Sequence, residues 1–126
     1  MDEQNKVIIY TASDGQTKID VKLEDETLWL MQAQMCELYQ TSRTNVVEHI
    51  KHIYEEGELD KEATCRNFRQ VREEGGRKVE REMTFYNLDM IIALGYRVRS
   101  IIATRFRQWA TLRLKEYMVK GFTLDD

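Results

Sequence analysis

The sequence predicts an α+β fold: an N-terminal β-hairpin, a helix-turn-helix, a second, wing-like β-hairpin, then C-terminal helices including one long amphipathic helix. Three observations carry this expectation. Two β-branched stretches flank a polar turn near the start; two runs with helical spacing meet across three residues; and apolar residues recur at helical spacing through the last quarter of the chain. With 126 residues, 42% of them apolar, the chain suits one domain over 1–126 with a real core.

Each element has its own signal. Lys6 to Thr11 and Thr17 to Leu23 flank Ser13-Asp14-Gly15-Gln16, and Ile19, Val21 and Leu23 alternate with Lys18, Asp20 and Lys22, the period of a strand with one wet face. A short apolar run, Leu28-Trp29-Leu30, follows. Met31, Met35, Leu38 and Tyr39 then align on one side of a short helix. Ser42 suits the N-cap of a second helix whose apolar face is Val46, Val47, Ile50, Ile53 and Tyr54 and which ends at Gly57. Thr64 to Val71 and Lys78 to Tyr86 read as strands joined through Gly75-Gly76, where glycine supplies the positive φ of a tight reversal. Asn87 or Asp89 caps a helix that Gly95 is expected to break. Ser100 is expected to cap a longer helix with the stripe Ile102, Phe106, Trp109, Ala110, Leu114 and Tyr117, stopping at Gly121.

The net charge of −3 does not by itself favour a polyanionic partner, but its distribution is uneven: −5 over residues 1–39, −2 over 40–94 and +4 over 95–126. A binding face needs only a local positive field, so the acidic total does not exclude nucleic acid. The chain has no run of 18 apolar residues and no basic, apolar leader at Met1, which predicts a cytoplasmic protein without a membrane partner. Cys36 and Cys65, without CxxC spacing, are expected to be reduced structural thiols.

Two short helices joined by a three-residue turn, the second opening Ser42-Arg43-Thr44-Asn45, are what a helix-turn-helix needs to lay a recognition helix in the major groove of DNA. Met35, Tyr39 and Val46 stand where the helices would pack, and Cys36 where they would approach closely. Gln40 departs from the motif, standing where glycine is usual, and so does Thr41, standing where a larger apolar residue would plug the junction. On this reading Arg43, Thr44 and Glu48 face base edges, with Arg43 directed to guanine, while Gln32, Ser42, Asn45, Lys51 and His52 reach phosphates or flank the groove. The plainer reading of the same residues is a packed core with an ordinary solvated face.

Arg69, Arg72, Arg77 and Lys78 near the Gly75-Gly76 turn would let the second hairpin touch the backbone beside the groove, against the opposing charge of Glu73, Glu74, Glu80 and Glu82. Arg97, Arg99, Arg105, Arg107 and Arg113 form the densest basic run, with no acidic residue between Asp89 and Glu116. Phosphate contact and structural pairing with the acidic front end are both open to them, and Arg97, Arg99 and Arg107 are carried as candidate phosphate contacts. Catalytic patterns are missing: no GxGxxG, P-loop, GxSxG or HExxH occurs, and His49 and His52 have no third metal ligand nearby. The expectation is therefore no enzyme activity, no cofactor, no metal and no small-molecule substrate.

Leu28 to Tyr39, continued by Ser42-Arg43-Thr44, His49-Ile50 and Glu55 to Leu59, and then Tyr86 to Val98, Phe106 to Ala110 and Leu114 to Tyr117, resemble the RhuM virulence-protein family of bacteria. The likeness spans about residues 6 to 124 and extends to the phage and viral Bro-N and KilA-N type domains. It implies a DNA-binding domain of a mobile or virulence-associated element, standing as the N-terminal part of a longer protein. The function expected is double-stranded DNA binding, as in a transcriptional regulator, with a homodimer presenting two recognition helices to a palindromic site. The alternative is a protein-interaction or oligomerisation module that uses the Trp109 helix and its exposed flank without binding DNA.

Overall fold

The computed structural model describes the backbone of residues 6–124 and the side chains of residues 6–118. Among the described residues five strands form one antiparallel sheet: β1 (Lys6–Thr11), β2 (Lys18–Glu24), β3 (Thr27–Leu30), β4 (Cys65–Glu74) and β5 (Arg77–Asn87), in the order β1-β2-β3-β5-β4. Five helices among the same residues accompany it: α1 (Gln32–Tyr39), α2 (Arg43–Glu55), α3 (Lys61–Thr64), α4 (Leu88–Val98) and α5 (Ser100–Leu124). The two hairpins expected from the sequence are both present, and the Leu28-Trp29-Leu30 run is the strand that joins them into one sheet. β3 pairs with β2 through Lys22↔Trp29 to Glu24↔Thr27, and with β5 through Trp29↔Asn87 and Leu30↔Tyr86.

The β2–β3 reversal is a two-residue turn in which Asp25 and Glu26 both take positive φ, 56° and 62°. That matches the right-handed twist of the strands, and it lacks the Asn-Gly signature that marks such turns in sequence. In the first hairpin the Asp14 carboxylate accepts from the Gln16 and Thr17 N–H groups and from the Thr17 hydroxyl. These bonds hold its carboxyl below the usual carboxylate range.

The helices cover one face of the sheet. Ile19, Val21 and Leu23 of β2, Leu28 and Leu30 of β3 and Tyr86 of β5 meet Met35, Leu38 and Tyr39 of α1, Val46, Ile50 and Ile53 of α2, and the buried faces of α4 and α5 in one core. The opposite face carries a smaller cluster. Trp29, Phe68 and Phe85 stack edge-to-face at 5.2 and 5.3 Å, with the Lys22 ammonium 4.7 Å from the Phe68 ring and the Arg66 guanidinium 4.6 Å from that of Trp29. The cluster matters because from Asn67↔Thr84 to Glu74↔Arg77 the β4–β5 pair has no third strand, leaving roughly 25 Å of ribbon to stand on its base. An isolated two-stranded ribbon is marginal in water; aromatic pairs and cation–π contacts at its root, each about 0.5–1.5 kcal/mol, hold it against the sheet.

Four expectations are corrected. Gly95 does not break a helix but lies inside α4, because an added Cβ would overlap the Tyr39 phenol and stand 2.6 Å from the Ala103 Cβ. The helix ends instead at Arg99, whose non-helical backbone (φ −149°, ψ 87°) lets α5 begin at once with Ser100 as its first residue and not its cap. α5 also runs through Gly121 to Leu124. Val47, assigned to the core face of α2, is 39% exposed, since the face that packs is the narrower set Val46, Ile50 and Ile53. The stripe read for α5 does pack into the core, joined by Ala103.

Tyr39 is fully buried and donates its hydroxyl to the Ile91 carbonyl at 2.6 Å, tying α1 to α4. Burial, reinforced by the neighbouring Tyr10 and Tyr96, pushes its phenol well above the ordinary value of 10.0. A folded-state pKa above the unfolded one gives stability that is complete below the unfolded value and declines as pH rises beyond it. Tyr39→Phe is therefore expected to lower stability at neutral pH by about 0.5–1.5 kcal/mol. It should also remove up to about 1.4 kcal/mol per pH unit of alkaline destabilisation above about pH 10, read from denaturant melts on either side of that pH. Gly95→Ala, despite alanine's higher helix propensity, should cost about 1–3 kcal/mol through overpacking, read from the same melts.

Candidate nucleic-acid interface

α1 and α2 are joined by Gln40, Thr41 and Ser42. Gln40 takes the left-handed conformation that glycine usually supplies, φ 54° and ψ 53°, and its side-chain amide donates to the Glu37 carbonyl at 2.8 Å. The next N–H, of Thr41, donates back to the Cys36 carbonyl at 3.1 Å, so the strained residue closes the end of α1. The Thr41 hydroxyl accepts from the Asn45 amide at 2.8 Å, which suits a polar residue to a junction where a larger apolar one was expected. Ser42 caps α2, its Oγ accepting from the Asn45 N–H at 3.1 Å. Met35, Tyr39 and Val46 are buried between the helices, with Cys36 half-buried beside them.

The packing of Val46, Ile50 and Ile53 leaves Arg43, Thr44, Val47, Glu48, Lys51 and His52 on the solvent side of α2. Neither the Arg43 nor the Lys51 side chain has a hydrogen bond or ion pair to a described residue, whereas Glu48 and His52 lie 3.9 Å apart across one helical turn. Asn45 and Ser42 are engaged in the turn itself. Gln32, the first residue of α1, is half-buried and donates to the Tyr86 hydroxyl at 3.3 Å. Val47 is the residue on this face that the helical pattern concealed. A valine beside Val46 reads as core, and only the direction from which α1 and α4 cover α2 exposes it.

The candidates of the basic run do not gather here. Arg97 is 25% exposed and its guanidinium binds Glu56 at 2.7 Å and Glu58 at 2.8 Å, on the loop after α2. α2 has 13 residues, so this ion pair lies about 20 Å along the helix from Arg43. Arg107 donates to the Tyr96 hydroxyl at 3.2 Å, Arg105 to the Ser13 hydroxyl at 3.1 Å, and Arg113 pairs with Glu116 at 3.1 Å. Arg99 is exposed at the α4–α5 junction. On the ribbon, Arg81 makes a two-pronged bond to Glu74 at 2.8 and 3.0 Å and Arg69 lies 3.8 Å from Glu80, so two of the opposing carboxylates are matched. The side chains of Arg72, Arg77 and Lys78 have no hydrogen bond or ion pair to a described residue.

The chemistry of the remaining groups is quiet. Burial pushes the thiols of Cys36 and Cys65 up, with Arg43 and Lys61 respectively pulling the other way, so neither is disposed to ionise. Among the described residues no group of three or more His, Cys, Asp and Glu could hold a metal ion, and no helix is long and apolar enough to cross a membrane.

The Arg97 hydrogen bonds lower the carboxyl of Glu56 below its ordinary 4.5. Stability from such a group is present above that value and is lost as pH falls through the folded one. Arg97→Gln is expected to lower the thermal midpoint at neutral pH, and the difference from the parent chain should shrink progressively below about pH 4.5, measured by thermal melts across the acidic range.

A family model described as the virulence protein RhuM family matches residues 63–126. The match covers β4, β5, α4 and α5 and leaves β1 to β3 and the α1–α2 pair outside it. No curated protein and no solved structure matches the chain.

Proposed function

The chain belongs to the virulence protein RhuM family, and on the geometry of its α1–α2 pair we propose that it binds double-stranded DNA, with α2 as the recognition helix of a helix-turn-helix. The family description names an association with virulence and no molecular activity, so the reading rests on the side chains. Its carrying observation is the exposed face of α2, where Arg43 and Lys51 stand without protein partners on a helix whose other side is locked into the core.

Arg43 and Thr44 occupy the first turn, the part of a recognition helix that reaches base edges. Arg43 suits the O6 and N7 acceptors of guanine, Val47 the methyl of thymine, and Glu48 the amino group of cytosine. Lys51 and His52, further along, suit the flanking phosphates. The ribbon follows as a wing, offering Arg72, Arg77 and Lys78 to the backbone beside the groove, since the carboxylates of Glu74 and Glu80 are already matched by Arg81 and Arg69. Arg99 and Arg107 are assigned to phosphates outside the half-site, while Arg97 is assigned to the Glu56–Glu58 pair it already makes. A homodimer would set two copies of α2 on a palindromic site.

A second reading, a protein-interaction module, is favoured by the outer side of α5, where Ile101 and Leu112 are 66% and 57% exposed between Arg105 and Lys115. Fluorescence polarisation against random duplex DNA at several salt concentrations separates the two. DNA binding is expected, with a log–log slope of about −0.9 per phosphate contacted; no binding at low salt would favour the α5 surface instead. On a preferred sequence, Arg43→Ala should cost about 1–3 kcal/mol and leave random DNA nearly unaffected. Equal losses on all sequences would assign Arg43 to phosphate.

A further inference from the structure

A cleft of about 550 Å³ opens between α1, the start of α2 and β5, within the size range of small-molecule sites. Met31, Ala33 and Met83 make its walls apolar. Gln32 and the Tyr86 hydroxyl, bonded to each other at 3.3 Å, supply polar groups within it. Arg43 is the one charged residue among those lining it, and it sits at the positive end of the α2 dipole. Burial pushes the Cys36 thiol up and the Arg43 guanidinium draws it back, so that charge is felt at the cleft wall.

We propose that this cleft is a binding site for a small organic carboxylate with an apolar body, its carboxylate paired with Arg43 and its body against Met31, Ala33 and Met83. The composition selects this class. A single guanidinium balances one negative charge and takes a carboxylate through two parallel hydrogen bonds. A free phosphate, more highly charged and strongly hydrated, would lose water against methionine side chains without gaining a second cation. A neutral apolar molecule would leave the guanidinium unmatched. The Gln32–Tyr86 pair can accept or donate to a further polar group on the ligand without either atom being exposed unpaired.

Occupancy would take the guanidinium that the DNA reading assigns to a base edge, so a bound carboxylate would release a preferred DNA sequence. That consequence rests on the DNA reading; the site itself does not.

The test is therefore made without DNA. The chain is titrated with hexanoate, 3-phenylpropionate and indole-3-acetate, with the corresponding amides, and with inorganic phosphate, following backbone amide signals by NMR. Saturable shifts are expected at Ala33, Arg43 and Met83 for at least one carboxylate. The matched amide should bind about tenfold or more weakly, as should Arg43→Gln with the carboxylate. Ala33→Phe, which fills the apolar wall and keeps the charge, should abolish the shifts while the rest of the spectrum reports an intact fold. The proposal is overturned by equal binding of acid and amide, by phosphate producing the same shifts, or by no saturable shift with any of the acids. If the site stands, adding the binding carboxylate to a complex with preferred DNA is expected to displace the chain. Displacement failing while the NMR result holds would count against the role of Arg43 in base reading and not against the site.

Discussion

The buried Tyr39 phenol holds together the parts of the molecule on which the rest depends. Its hydroxyl reaches the Ile91 carbonyl at 2.6 Å and its ring lies against Gly95, so one side chain ends α1, grips α4 and sets the depth at which α5 passes by Ala103. The arrangement works only because residue 95 has no Cβ. A glycine inside a helix loses conformational entropy relative to alanine, about 1 kcal/mol, and that loss is outweighed by the close approach it permits. With α1 fixed in this way and α2 capped on it through Ser42, the direction in which α2 presents its outer face is set by packing and not by any contact of that face itself.

The division of charge follows the same logic. Arg97 is drawn to Glu56 and Glu58, Arg81 to Glu74 and Arg66 to Asp25, pairs that join elements distant in sequence or brace the ribbon. All are substantially solvated, so each contributes modestly to stability. Their greater effect is on the surface field: they neutralise carboxylates that would otherwise oppose the cations near them. The cations that remain without a side-chain partner among the described residues include Arg43 and Lys51 on α2 and Arg72, Arg77 and Lys78 near the tip of the ribbon. A chain with a net charge of −3 can thus carry local positive surface where two projecting elements meet solvent.

The family match and the proposed recognition helix occupy different halves of the chain. Residues 63–126 supply the ribbon, α5 and the helix α4 against which α1 and α2 both pack, while the helix pair and β1 to β3 precede them. The core is nevertheless single, since Leu28, Leu30, Met35 and Tyr39 share it with Met90, Ile91, Phe106 and Ala110. A change in α4 or α5 that loosened this core would therefore be felt at α2, through packing and without touching its outer face.

The elements whose signals are local can be read from the residues alone: the alternation of Ile19, Val21 and Leu23, the Gly75-Gly76 reversal, the Ser42 cap, and the stripe from Ile102 to Tyr117. These depend on backbone dihedrals and on which side of one element is apolar. Much of the exposed face of α2 was legible for the same reason, Arg43, Thr44, Glu48 and Lys51 lying opposite an apolar stripe. Features that depend on a neighbour become visible only once the elements are packed. Val47 is outward because nothing packs over it; Gly95 continues a helix because Tyr39 fills the space its side chain would need. The Asp25-Glu26 turn takes positive φ because β2 and β3 pair, and Arg97 is committed to Glu56 and Glu58 because α4 ends beside the loop that follows α2. Sequence periodicity reports which face of an element is apolar, but only the assembled core shows how much of that face is covered and which charges are left over.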